Sequence, residues 1–151
     1  MLKQTKQTLL IIEDSPDDFE VITRSVQELI ADQYKIDWCQ DATEGFNYLW
    51  RRGQYSSLLY TPLPSIIILD LGLPGGSGER ILDLVKAHHK MITIPTIVVT
   101  GMEDFDRLQS CYSLGANTVI PKSDLEGGKS DKIQAVLKYW MEIVTLPSSR
   151  Y

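Results

Sequence analysis

The stretch "IIILDLGLPGGSG", residues 66–78, runs from apolar into charged and then into glycine. Ile66 to Leu69 form an unbroken apolar run, the pattern of a strand buried on both faces. The run ends on Asp70, and Gly72, Pro74, Gly75, Gly76 and Gly78 then turn the chain. A strand of this kind belongs to a parallel sheet covered by helices. In such a sheet functional groups gather beyond the carboxyl ends of the strands. Asp70 stands at such an end.

Outward from it, strand-like and helix-like segments alternate. Upstream, Leu9 to Ile12 is a short apolar run that finishes on Glu13 and Asp14. A helix opens at Ser15, a capping residue. Pro16 suits its first turn, and Asp17 and Asp18 suit its positive end. Its apolar stripe is Phe19, Ile22, Val26, Leu29 and Ile30. A weaker strand is expected over Ile36 to Cys39 and a helix from about Ala42 to Arg52, with Arg51 and Arg52 as its solvated end. The connection from Arg51 to Ser65 is broken by Gly53, Pro62 and Pro64.

Downstream, a helix is expected from Gly78 to His89, a strand over Thr96 to Thr100, and a helix striped by Phe105, Leu108, Cys111, Tyr112 and Leu114 that Gly115 ends. "NTVIPK" is the fifth strand, and Ile133, Val136, Leu137, Trp140 and Val144 mark the last helix. His88 and His89 would point about 100° apart on a helix, so they do not read as a shared ligand pair. Five strand–helix units with apolar strands and right-handed crossovers predict an α/β, doubly wound parallel sheet.

Bulk properties narrow the function classes. The 151 residues suit one domain, with 43% apolar and 23% charged residues. A net charge of −5 argues against a general nucleic-acid or lipid-headgroup binder. No apolar run approaches the roughly 18 residues that a membrane span needs, and "MLKQTKQT" lacks the core of a signal peptide. Cys39 and Cys111 have neither zinc-ligand spacing nor a disulfide framework, and read as reduced core thiols of a cytoplasmic protein.

The expected strand ends carry Glu13 and Asp14, Asp70, Thr100, and Lys122. Carboxylates about 4 Å apart repel by roughly 4 kcal/mol at an effective dielectric near 20, and a divalent cation offsets this. Hard oxygen ligands without His or Cys favour Mg²⁺ over zinc. A carboxylate can take a phosphoryl group, a reaction that needs alignment and positive charge around the phosphoryl oxygens. Asp70 is the best acceptor because glycines follow it. Gly72 and Gly75 to Gly78 permit close backbone approach, with N–H groups for phosphate oxygens. Lys122 supplies charge and Thr100 a hydrogen bond.

These residues closely resemble the receiver domain of two-component response regulators. The pattern is an acidic pair (Glu13, Asp14), a phosphoacceptor (Asp70), a Ser or Thr (Thr100) and a Lys (Lys122). Leu73-Pro74 and a glycine eight residues past the acceptor, Gly78, also match. The resemblance covers about residues 8–144 and treats 1–151 as a single receiver domain with short polar tails. It implies a flavodoxin-like sheet of order 2-1-3-4-5 with five helices. It also implies Mg²⁺ held by Glu13, Asp14, Asp70 and the backbone carbonyl of Gly72, and phosphorylation of Asp70 by a sensor histidine kinase. "RRGQY" within Arg51–Ser65 and the closing "VLKYWMEIVTLP" are similar to single-domain regulators paired with cyanobacterial phytochromes. That implies a light-sensing kinase as partner and a homodimer.

Two positions depart from the family pattern. Pro121 precedes Lys122 and Ser123 follows it, whereas in the family a Pro commonly follows the Lys through a cis bond. A trans bond at Lys122, or a cis bond moved to Ile120-Pro121, is expected. Val119 stands where the family usually has the Tyr or Phe that swings inward on phosphorylation. Output would then travel through Thr100 and the loop "GMEDFD", or through the dimer face. Since only "TLPSSRY" follows Val144, it is expected to run through protein contacts or phosphate relay, with no enzyme activity beyond self-directed phosphoryl transfer. The alternative is a receiver-like interaction module that signals without phosphate. A haloacid-dehalogenase-type phosphohydrolase is disfavoured because Gly72 occupies the place of its second Asp.

Overall fold

In the computed structural model, which describes residues 6–30, 33–74, 78–101, 104–128 and 130–147, residue parity decides the layering. Along β1 (Gln7–Ile12), Leu9 and Ile11 face one side of the sheet and Leu10 and Ile12 the other, all fully buried. The same split runs through β3 (Ile66–Asp70) and β4 (Thr96–Thr100): Ile67, Leu69 and Val98 join Leu10, while Ile66, Ile68, Ile97 and Val99 join Leu9. Strands apolar on both faces need helices on both. The Leu10 face is covered by α2 (Ala42–Leu49), α3 (Gly78–Ala87) and Cys111 of α4 (Phe105–Ser113). The Leu9 face is covered by α1 (Pro16–Ile30) and α5 (Asp131–Lys138).

The sheet is parallel, in the order β2-β1-β3-β4-β5, with β2 at Tyr34–Cys39 and β5 at Thr118–Pro121. The strand order reverses between β1 and β3, so the crevice beyond their carboxyl ends is the topological switch point. Ile12 pairs with Leu69, and the next step of that register brings Glu13 beside Asp70. α1 and α5 are joined by a buried link, the Ser130 amide donating to Ser25 Oγ at 2.9 Å.

Local chemistry sets the element ends. The Asp18 amide donates to Ser15 Oγ at 3.2 Å, and Asp41 caps α2 by accepting from the Glu44 amide at 2.7 Å. α4 ends at Ser113, and Gly115 just beyond its cap holds φ +105° as the left-handed exit of a helix requires. Of the apolar stripe of α1, the Ile30 side chain lies outside the described ones.

Several expectations need correction. α2 stops at Leu49, not Arg52, and residues Gly53–Leu58 form a 3₁₀ helix within the connection. Arg51 turns left-handed at φ 56° and is no solvated helix end. Its guanidinium donates to the carbonyls of Tyr48 at 3.0 Å and Pro62 at 2.9 Å, which fastens the connection to α2. α3 stops at Ala87, so the helical argument for His88 and His89 does not apply; their rings stack at 4.8 Å. Tyr34 and Lys35 extend β2 beyond the expected Ile36. α5 continues as a π-helical turn over Tyr139–Ile143, the loosening occurring at the ring pair Tyr139 and Trp140. No cis peptide bond occurs among the described residues, so the bonds on both sides of Pro121 and after Lys122 are trans.

Candidate functional site

Each strand end delivers one part of the site. β1 runs out into Glu13, buried at 1% exposure, and the exposed Asp14. β3 delivers Asp70, also 1% exposed, and β4 delivers the buried Thr100. Lys122 follows β5. Carboxylate oxygens of Glu13, Asp14 and Asp70 lie within 4.8 Å of one another. The Lys122 ammonium donates to Asp70 Oδ2 at 2.9 Å, lies 3.5 Å from Glu13 Oε1, and is 3.3 Å from Asp18 Oδ2. The other Asp70 oxygen, Oδ1, accepts from the Gly72 amide at 2.9 Å.

Burial and like charge oppose ionisation of Glu13. Its carboxyl is pushed up to about 8, first by loss of hydration. The Asp70 charge adds to this, and the Ser15 amide and Lys122 work against it. Glu13 Oε1 accepts from the Ser15 amide at 3.1 Å, whereas buried Oε2 has no partner. For Lys122, burial opposes the charge. The Asp70 hydrogen bond and the Asp70, Glu13 and Asp18 charges outweigh it and hold the ammonium above its usual range. A divalent cation fits this set: three clustered hard oxygen donors, one with an orphaned buried oxygen, are balanced by a single lysine.

A cleft of about 470 Å³ opens over Asp70, lined also by Thr100, Gly101, Lys122, Glu79 and Arg107. The glycine loop corrects one expectation. The Gly72 amide is taken by Asp70 and the Gly78 amide donates to the Leu71 carbonyl at 3.3 Å, so neither faces a phosphate. Gly75 and Gly76 lie outside the described residues, as do Met102 and Glu103 of "GMEDFD". Gly78 serves packing: a Cβ there would collide with the Asp70 carbonyl oxygen and come 2.6 Å from Leu71 Cα. Val119 is half-buried against the core below α2 to α4.

Sequence reasoning missed Asp18, read only as a helix-start acid, and the ion pair of Arg107 Nη1 with Glu79 Oε1 at 3.0 Å in the lining of the cleft. The proline–acid spacing after Ser15 places Asp18 one turn beyond Asp14, a signal visible once a lysine is known to face α1.

The sequence profile of the response regulator receiver domain matches residues 9–128. The chain belongs to the response regulator receiver domain family. This receiver is 27% identical to response regulator Rcp1 of Synechocystis sp., over 95% of each chain. The Mn²⁺-bound crystal structure of Rcp1 superposes with a TM-score of 0.81, covering 94% of this chain and 99% of that one, at 27% identity. The phosphorylated cyanobacterial phytochrome response regulator RcpA shares the fold, with a TM-score of 0.83 over 95% of this chain and all of that one, at 24% identity. No helix among the described residues is long and apolar enough to cross a membrane.

Proposed function

We propose that this receiver accepts a phosphoryl group on Asp70 from a phosphohistidine of a sensor kinase, in a reaction that requires Mg²⁺. The single observation that carries this reading is the setting of Asp70: a buried carboxylate at the mouth of a cleft, fixed through one oxygen by Gly72 and through the other by Lys122. Glu13, Asp14, Asp70 and the Gly72 carbonyl would hold the cation. When bound, the ion neutralises charge on the phosphoryl oxygens.

An Asp70 oxygen attacks phosphorus, an O–P bond forms, and the P–N bond breaks. Its electron pair stays with the imidazole, which leaves as the neutral ring when its other nitrogen carries the proton. Lys122 moves with the transferred charge, from the carboxylate to a phosphoryl oxygen, and the Thr100 hydroxyl donates to another. Asp18 keeps the ammonium over the cleft meanwhile. Hydrolysis reverses the state: water attacks phosphorus, inorganic phosphate leaves, and the Asp70 carboxylate is restored. The chain acts on no other substrate in this reading.

The likeness to Rcp1, a response regulator, supports a kinase partner, and the RcpA fold supports one linked to a phytochrome. The setting is cytoplasmic, the output a changed set of protein contacts, a second copy of the chain among them, with no nucleic acid involved. Val119 favours one rival, a phosphate-independent module, because the aromatic that commonly reports phosphorylation is missing. Incubation with acetyl phosphate and Mg²⁺, read by intact mass, separates the two. An adduct that needs Mg²⁺ and vanishes in Asp70→Asn is expected. Its absence from folded protein would establish the rival.

A further inference from the structure

The cleft over Asp70 has a cation that the reaction as described leaves unused. Arg107 stands in the first turn of α4, its guanidinium 3.0 Å from Glu79 at the start of α3, with the two side chains 50% and 36% exposed. Both line the cavity that also contains Asp70, Thr100 and Lys122. A half-exposed pair of this kind contributes little net stability and exchanges partners readily.

The phosphoryl group carries roughly 1.5 to 2 negative charges at neutral pH in place of the single carboxylate charge of Asp70, with oxygens arranged for a planar two-pronged donor. Lys122 is poorly placed to balance that charge alone. It already lies within 3.5 Å of oxygens on Asp18, Glu13 and Asp70. The Arg107 guanidinium is the second cation lining the same cleft, and a phosphoryl group offers it bidentate hydrogen bonds where Glu79 gives a contact from one nitrogen.

We propose that Arg107 is a phosphoryl-binding residue, which leaves Glu79 for the oxygens of the phosphoryl group on Asp70. This rests on Asp70 being the acceptor. The exchange breaks an α3–α4 crosslink when Asp70 is charged. α4 carries the exposed rings of Phe105 and Tyr112, so the event reaches the surface without an aromatic at position 119.

The test is equilibrium binding of trifluoroberyllate, a tetrahedral phosphoryl mimic, to the full chain in Mg²⁺, followed by fluorine NMR. Arg107→Gln is expected to weaken binding roughly three- to tenfold, the range of one charge-assisted hydrogen bond in a solvent-facing cleft. Arg107→Lys should recover part of the loss. Glu79→Gln, by releasing Arg107, should tighten binding. The opposite signs separate exchange from a merely structural ion pair, whose loss from either side would act the same way. Thermal melting confirms that each variant is folded. Equal binding by wild type and all three variants would overturn the role of Arg107 while leaving phosphorylation intact. Failure of wild type to bind the mimic, together with no acetyl phosphate adduct, would overturn the proposed function as well.

Discussion

The indole N–H of Trp38 donates to the main-chain carbonyl of Glu13 at 2.8 Å, while its ring stacks on Phe19 at 4.0 Å. A tryptophan is thus wired to the residue that opens the acidic cluster. The other two are placed elsewhere, Trp50 against Phe46 and His88, and Trp140 against Tyr139. Titration with Mg²⁺ is therefore expected to change tryptophan emission saturably, and the change should disappear in Trp38→Phe but persist in Trp50→Phe and Trp140→Phe. A signal that survives Trp38→Phe would place the binding event away from Glu13.

Glu13 is held at a cost to the metal-free fold. Its side chain is buried beside Asp70 and one of its oxygens has no partner. Above pH 8, where the buried carboxyl is ionised, Glu13→Gln keeps the shape, removes a charge from the cluster and supplies a donor. In EDTA it should raise stability by about 1–2 kcal/mol. Added Mg²⁺ should then raise the melting temperature less than it does for wild type. Urea unfolding with and without Mg²⁺ measures both. A destabilised variant would mean that the Lys122 contact outweighs the repulsion.

The site is legible in the sequence to the extent that each residue ends an apolar run. Asp70, Thr100 and Lys122 each close a strand-like segment, and parallel strands bring their carboxyl ends to one edge whatever the loops do. Asp18 and Arg107 are not legible in this way. Both sit on helix surfaces, where a charged residue usually means only solvent, and their partners lie 104 and 28 positions away. Arg51 misled for a related reason. An arginine after a helix is ordinarily solvated, and only the left-handed turn at that residue aims its guanidinium at the Pro62 carbonyl. The end of α3 was lost because His88 and His89 fit the helical reading by type, while the ring contact with Trp50 is tertiary.

Lys86 supplies a pH dependence of stability. Its ammonium donates to the Ile94 carbonyl at 2.7 Å, to Asn117 Oδ1 at 3.0 Å and to the Ile92 carbonyl at 3.4 Å, all uncharged. Loss of hydration lowers it from 10.5 to about 8. Below pH 8 the group is charged in both states and its desolvation cost is present in full. Between about pH 8 and 10.5 the unfolded chain binds the extra proton, so this contribution to stability rises with pH. Above that window both states are neutral. Lys86→Met keeps the apolar stem without the titration. The stability of wild type relative to Lys86→Met should therefore climb from pH 8 to 10, measured by urea unfolding. A flat difference would show that the three oxygens fully replace water.

Gly78 tests how tightly the acceptor loop is built. An added Cβ would clash with the Asp70 carbonyl oxygen and the Leu71 backbone, and backbone cannot swing aside as a side chain can. Gly78→Ala is therefore expected to cost about 2 kcal/mol or more and to displace Asp70 itself, weakening Mg²⁺ binding along with stability. Gly45→Ala is the control. Its Cβ would meet only side-chain atoms, Ile12 Cδ1 at 2.9 Å and Cγ2 at 3.1 Å, which can shift where backbone cannot, so its loss should be smaller and Mg²⁺ binding unchanged. Urea unfolding and the Trp38 titration on both variants decide the matter. Equal losses in the two would mean that the β3–α3 turn yields to the extra methyl as easily as the core does.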